Sequence, residues 1–182
     1  MKKIHLLFVL TLAVSTVSLA QPASSDWKKI YRAVPTKVND LVHTKLDARF
    51  NYAKSQLLGD VWITLHPHFY ATDSLQLVAK GMDIQQVAII KGAKSIPLKY
   101  TYNGMNLFIQ LDKSYTRNEQ YTVYIKYTAK PDELEVKGSA AITDAKGLYF
   151  INPKGEEKDK PTQIWTQGET EASSVWIPTI DK

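Results

Sequence analysis

The rhythm of apolar and polar positions changes along the chain. After Lys2 and Lys3, residues 4–17 are almost wholly apolar. Ser18-Leu19-Ala20 then places small residues where a signal peptidase reads, and Gln21-Pro22 opens a polar stretch. A charged start, an apolar run and a small-residue end are the order of a secretory signal peptide, expected over residues 1–20. The run is too short for a membrane span, which needs about 20 residues. Residues 21–42 are mixed and polar, a lead-in in which a short helix around Asp26 to Tyr31 is stopped by Pro35.

From His43 the period becomes two. Leu46, Ala48, Phe50 and Tyr52 alternate with polar neighbours, as do Val61, Ile63 and Leu65. Each set predicts a half-buried strand, and Gly59-Asp60 is expected in the turn between them. Further strands are predicted over residues 75–79, 84–90, 98–102, 106–111 and 121–127. Asn103-Gly104 signals a tight two-residue hairpin, because both residues tolerate positive φ. After Pro131 the chain turns charged and loop-like to residue 146, with short strands at 147–150 and 162–166 around the charged loop 152–161. A short helix is expected after Gly168. Frequent strands without a helical period give an all-β class: an antiparallel β-sandwich or saddle-shaped curved sheets, with a short C-terminal helix. The domain is drawn over residues 43–182.

Charge narrows the choice of partners little but usefully. The net charge of +5 falls to +3 without Lys2 and Lys3, and the lysines are scattered. A nucleic-acid partner calls for a basic stripe or a known motif, and neither is present. No cysteine exists, so neither a disulfide nor a lipidated cysteine is available. The mature protein is therefore expected to be soluble, without a membrane span after signal cleavage, in the periplasm or outside the cell.

Candidate chemistry is sparse. His66-Pro67-His68 puts two imidazoles two apart, but Pro67 disturbs the strand and no third ligand has matching spacing. A structural zinc site usually needs four ligands, so two ordinary strand-end residues are the better reading. The patterns HExxH, GxSxG, GxGxxG and the P-loop are absent. Gly138 and Gly147, the nearest glycine pair, lie in a charged loop. Aromatic residues such as Trp62, Tyr70, Tyr100, Tyr149 and Trp165 suit sheet packing, and in a secreted sandwich they also suit a glycan-stacking or protein-binding face.

The most informative stretch is Thr166-Gln167-Gly168-Glu169, followed after a short helical segment by Ile177-Pro178-Thr179-Ile180-Asp181. It resembles the close of the N-terminal domain of the aminopeptidase N family of zinc metallopeptidases (gluzincins). That family shows Thr-Gln-x-Glu, a short helix and Phe-Pro-x-x-Asp. The strand Leu46-Asp47-Ala48-Arg49-Phe50, the run from Leu75 to Val87 and the late Gly147-Leu148-Tyr149 agree, so the resemblance covers about residues 43–181. Departures are Ser173-Ser174 where the family often has Ala-Arg, Ile177 for Phe and Thr179 for Cys.

The resemblance implies an exported enzyme that removes N-terminal amino acids from peptides. Zinc would polarise the scissile carbonyl and activate water, and a glutamate would serve as base. In the family the zinc ligands, the Gly-x-Met-Glu-Asn loop and the catalytic tyrosine lie in a downstream catalytic domain; here the chain stops before it. This chain is thus expected to hold no catalytic residue or metal ligand, to be inactive alone and to bind zinc poorly. The resemblance also assigns Glu169 to the free α-ammonium of the peptide substrate. Gln167, on the same face if strand geometry continues, would be a neutral partner near the substrate side chain. The alternative is a stand-alone secreted β module that binds glycan or protein through its aromatic residues.

Overall fold

A computed structural model describes residues 36–135, 145–169 and 171–181. The expected signal peptide and most of the lead-in lie outside these residues. Ten strands follow in order: β1 Asn39–Asn51, β2 Gln56–Pro67, β3 Thr72–Val78, β4 Met82–Lys91, β5 Lys94–Pro97, β6 Lys99–Tyr102, β7 Asn106–Tyr115, β8 Tyr121–Ala129, β9 Leu148–Ile151 and β10 Gln163–Thr166. Every pairing is antiparallel. One sheet has the order β1-β2-β8-β4-β5, a second β3-β7-β6, and β9 pairs with β10. The all-β reading therefore stands. Among the described residues no helix is long and apolar enough to cross a membrane.

The period of two builds the core. In β2, Leu57, Val61, Ile63 and Leu65 are buried; in β8, Val123, Ile125 and Tyr127. From the other sheet, Leu75 and Leu77 of β3 and Leu107, Ile109 and Leu111 of β7 join the same cluster. Burying each such side chain stabilises the fold by about 1.5–3 kcal/mol. A register shift at Ile84/Gln86 in β4 moves an extra residue out of the ladder, which brings Val87 and Ile89 to the core face that Met82 occupies before it.

Several local expectations are corrected. The first strand begins at Asn39, not after residue 42. Its Asn39–Leu41 end pairs with the far end of β2, and the shift at Leu41/His43 masks the alternation there. Gly59-Asp60 is not a turn: Gly59 sits inside β2, opposite Ala48 on one side and Tyr127 on the other. The glycine is required by space, since a Cβ would lie 2.4 Å from the Tyr127 ring. The turn is instead the 3-10 stretch Tyr52–Lys54, where the Asn51 side chain accepts from the Lys54 amide and Ser55 takes φ 51°. The hairpin at Asn103-Gly104 is a wider loop. Tyr102 pairs with Leu107, and Asn103 Oδ1 accepts from the amides of Met105 and Asn106 at 3.0 and 2.7 Å. The short edge strand β5 escaped notice because its four residues are all exposed and show no alternation. The expected C-terminal helix is a single 3-10 turn, Ala172–Val175.

Candidate functional site

The candidate site is the turn that follows β10. The β9–β10 hairpin supports it, and the charged loop 152–161 closes that hairpin. The loop's charged side chains are exposed, yet it is organised around buried Asn152. The Asn152 Nδ2 donates to the carbonyls of Glu157 and Lys160, and its Oδ1 accepts from the Glu157 amide at 3.1 Å.

Gln167 and Glu169 lie just past the end of β10, so strand alternation does not carry through to them. They meet by another route: the Gln167 Oε1 accepts from the Glu169 amide at 3.1 Å. The neutral side chain thus caps the backbone of the acidic residue, a common device where the chain leaves a strand. The Gln167 amide donates to the Gly147 carbonyl at 3.0 Å, which fixes one end of the turn. Glu169 is exposed, and among the described residues no cation pairs with its carboxylate.

Two glycines shape this turn. Gly147, with φ +70°, stands where a Cβ would lie 2.0 Å from the Ala172 carbonyl oxygen; it is a packing point, not a residue of an open loop. Gly138 lies outside the described residues. Gly168 has the Ser173 hydroxyl 2.7 Å from its Cβ position, and its carbonyl accepts from the Ala172 amide at 3.3 Å.

The segment from Glu171 to Asp181 is bound to the sheets at several points. The Val78 and Thr179 amides each donate to the other's carbonyl, at 2.8 and 3.0 Å. The Lys80 amide donates to the Ser174 carbonyl at 2.8 Å, and the Tyr127 hydroxyl to that of Trp176, also at 2.8 Å. The Lys80 Nζ donates to the Glu171 carbonyl at 3.1 Å and lies 3.8 and 3.9 Å from the carboxylates of Glu171 and Asp181. Sequence reasoning passed over Lys80, because a lone lysine in a strand-to-strand turn carries no pattern. A groove of about 740 Å³ runs along β3, β6 and β7, with Lys80, Glu171 and Asp181 at its wall.

The histidine pair is engaged otherwise. His66 Nδ1 faces the Pro67 carbonyl at 2.9 Å, and His68 Nδ1 lies 2.7 Å from the Asp40 carboxylate. Lys37, and after it His68, hold the Asp40 carboxyl down at about 2 from its usual 3.8. Among the described residues no group of three or more His, Cys, Asp or Glu side chains could hold a metal ion.

The aromatic residues divide between roles. Tyr115, Tyr121 and Tyr127 are in the core. Trp62 packs on Tyr124 with the Lys45 ammonium 5.0 Å over its ring. Trp165 stacks on its cross-strand neighbour Tyr149 at 5.3 Å and remains 53% exposed.

The peptidase M1 N-terminal domain model matches residues 36–182. Solved structures share the fold at low identity. A two-domain M1 zinc metallopeptidase mutant bound to L-arginine superposes with a TM-score of 0.63 at 14% identity, covering 84% of this chain and 31% of that one. The M1 zinc metallopeptidase of Deinococcus radiodurans gives 0.62 at 14%, covering 80% and 29%. Leukotriene A4 hydrolase of Saccharomyces cerevisiae gives 0.58 at 18%, covering 88% and 25%. The chain thus spans about a third or less of these proteins. No curated protein sequence matches it significantly.

Proposed function

The chain belongs to the peptidase M1 N-terminal domain family, and we propose that it is the substrate-amine-binding domain of an exported zinc aminopeptidase. Such an enzyme removes N-terminal amino acids from peptides. The observation that carries the reading is Glu169: an exposed carboxylate with no cation paired to it among the described residues, its own amide capped by Gln167, on a turn tied down on both sides.

The chemistry follows from charge. An exopeptidase must measure distance from the chain end, and only that end bears an α-ammonium. A fixed carboxylate that accepts from the ammonium makes a charge-assisted hydrogen bond, roughly twice as strong as a neutral one. Covering the turn with a second domain would strengthen it, because Coulomb attraction grows as water is excluded. Holding the first residue at one place also aligns the scissile bond beyond it. Gln167 supports the turn through its bond to the Glu169 amide, and in this reading it is the neutral partner of the first side chain. Zinc, and the water it activates, would belong to a catalytic domain, with ligands outside this chain. The partners are thus a peptide N-terminus and that domain. Export to the periplasm or the outside rests on the leader-like residues 1–20.

The test is Glu169→Ala in the chain continued through its catalytic domain. Losing a hydrogen bond to a charged group costs about 1.5–3 kcal/mol, so kcat/KM for amino-acyl substrates should fall roughly ten- to a hundredfold. KM should rise and zinc content should stay as it was. An unchanged kcat/KM removes Glu169 from the site. A second reading, a secreted module that binds glycan or protein, draws support from the exposed Trp165–Tyr149 stack. A reading frame that ends at codon 182, with glycan binding lost in Trp165→Ala, would favour it.

A further inference from the structure

We propose that Lys80 is a positioning residue for Glu169, an inference that rests on the amine-binding reading above. Lys80 sits between β3 and β4, far from Glu169 in sequence, yet it grips the chain two residues beyond it. Its ammonium donates to the Glu171 carbonyl at 3.1 Å and its backbone amide to the Ser174 carbonyl at 2.8 Å. Two residues span at most about 7 Å, so the Glu169 backbone cannot stray far from the point that Lys80 holds. On the other side, the Gln167 amide is held by the Gly147 carbonyl. Glu169 is therefore at the middle of a short span pinned at both ends.

The charge of Lys80 has a separate task. Glu171 and Asp181 bring two carboxylates to the same place, and like charges at close range repel. The Lys80 ammonium stands 3.8 and 3.9 Å from them, and its side chain is only 14% exposed. The Asp181 side chain is 9% exposed, and among the described residues its Oδ2 accepts no hydrogen bond, so the Lys80 ammonium is the cation that faces it there. Lys80 thus faces a carboxylate at each end of the 171–181 segment, next to β3. The turn that bears Lys80 is itself braced. The Tyr102 hydroxyl donates to the Ala79 carbonyl at 2.6 Å and accepts from the Met82 amide at 2.9 Å. A rigid turn can transmit a position, where a mobile one could not.

The experiment is a double-mutant cycle in the chain continued through its catalytic domain. Lys80→Met keeps the apolar stem and removes the donor and the charge. With Glu169 present it should raise KM for amino-acyl substrates about tenfold, since small misplacements of a binding group are costly, and leave kcat within about twofold. With Glu169→Ala already made, it should raise KM no further, because a residue acting through another shows full coupling to it. Lys80→Arg should restore most of the loss. Should Lys80→Met unfold the chain, Lys80→Gln enters the same cycle. An equal rise in both backgrounds overturns the proposal, as does an unchanged KM in a protein where Glu169→Ala raises it. If Glu169→Ala has no effect, the amine-binding reading fails and Lys80 loses its role with it.

Discussion

Gly147→Ala tests whether the Glu169 turn is held by backbone packing. Gly147 has φ +70° and Gly92 has φ +58°, so both demand the left-handed region. An L-residue pays about 1–2 kcal/mol there. Around Gly92 nothing lies within 4 Å of the Cβ position, whereas at Gly147 the Ala172 carbonyl oxygen lies at 2.0 Å and its carbon at 2.8 Å. These are backbone atoms and cannot rotate away. The segment beginning at Ala172 must move, and forcing a methyl into packed structure typically costs about 1–3 kcal/mol more. The expected losses are therefore about 1–2 kcal/mol for Gly92→Ala and about 2–5 kcal/mol for Gly147→Ala. Alanine's restriction of the unfolded chain is common to both and drops out of the difference.

Urea unfolding followed by tryptophan fluorescence measures this. Trp176 reports locally, since its ring carbon is 3.2 Å from the Gly147 Cβ position. With a slope of about 1–3 kcal/mol per molar urea, the two midpoints should separate by about a third of a molar or more. If Gly147→Ala loses no more stability than Gly92→Ala at unchanged slope, the close approach of Gly147 and Ala172 is not what holds the turn.

Two further outcomes follow from the same geometry. Tyr127→Phe removes the donor to the Trp176 carbonyl and should cost about 1–3 kcal/mol, with faster amide exchange around residues 176–179; an unchanged midpoint would show the bond to be dispensable. Asp40, held at about 2 instead of 3.8 by Lys37 and His68, stabilises the fold above about pH 4, and that contribution is lost as pH falls towards 2. Asp40→Asn should therefore flatten the acid limb of the stability curve between those values, and an identical acid limb would refute the pairing.

Much of the fold was legible because most of its strands are long and half-buried. In β2, β7 and β8 one face is core and the other solvent, and the pattern of residues reports that directly. It was illegible where a different force rules. Gly59 reads as a turn residue by composition, but it is a glycine because the Tyr127 ring occupies the space beside it, a contact 68 residues away that no local pattern contains. In β5 no face is buried, so there is nothing to alternate; β4 alone holds it, through backbone hydrogen bonds at the sheet edge.

The candidate site divides in the same way. Gln167 and Glu169 were legible as a motif, because their spacing to Pro178 and Asp181 is written in the chain. Their geometry was not, since it depends on where β10 stops. The Gln167 amide still donates to the Gly147 carbonyl, in register with the Thr166–Leu148 pair before it, but the ladder goes no further and the strand ends at Thr166. Once pairing ends, the two residues no longer share a strand face, and the Gln167 side chain becomes a cap on the Glu169 backbone. This gives Gln167 a purpose that a face-sharing pair would not require. Replacing it disturbs the carboxylate's placement before it removes any contact to a ligand. The same logic reaches Lys80 and Gly147. None of the three needs to touch a substrate to matter, because each fixes one end or one side of the five-residue span in which Glu169 sits. A motif search finds the carboxylate. The residues proposed to place it, Lys80, Gly147 and Gln167, lie in the turns beside β3, β9 and β10, and only the folded chain brings them together.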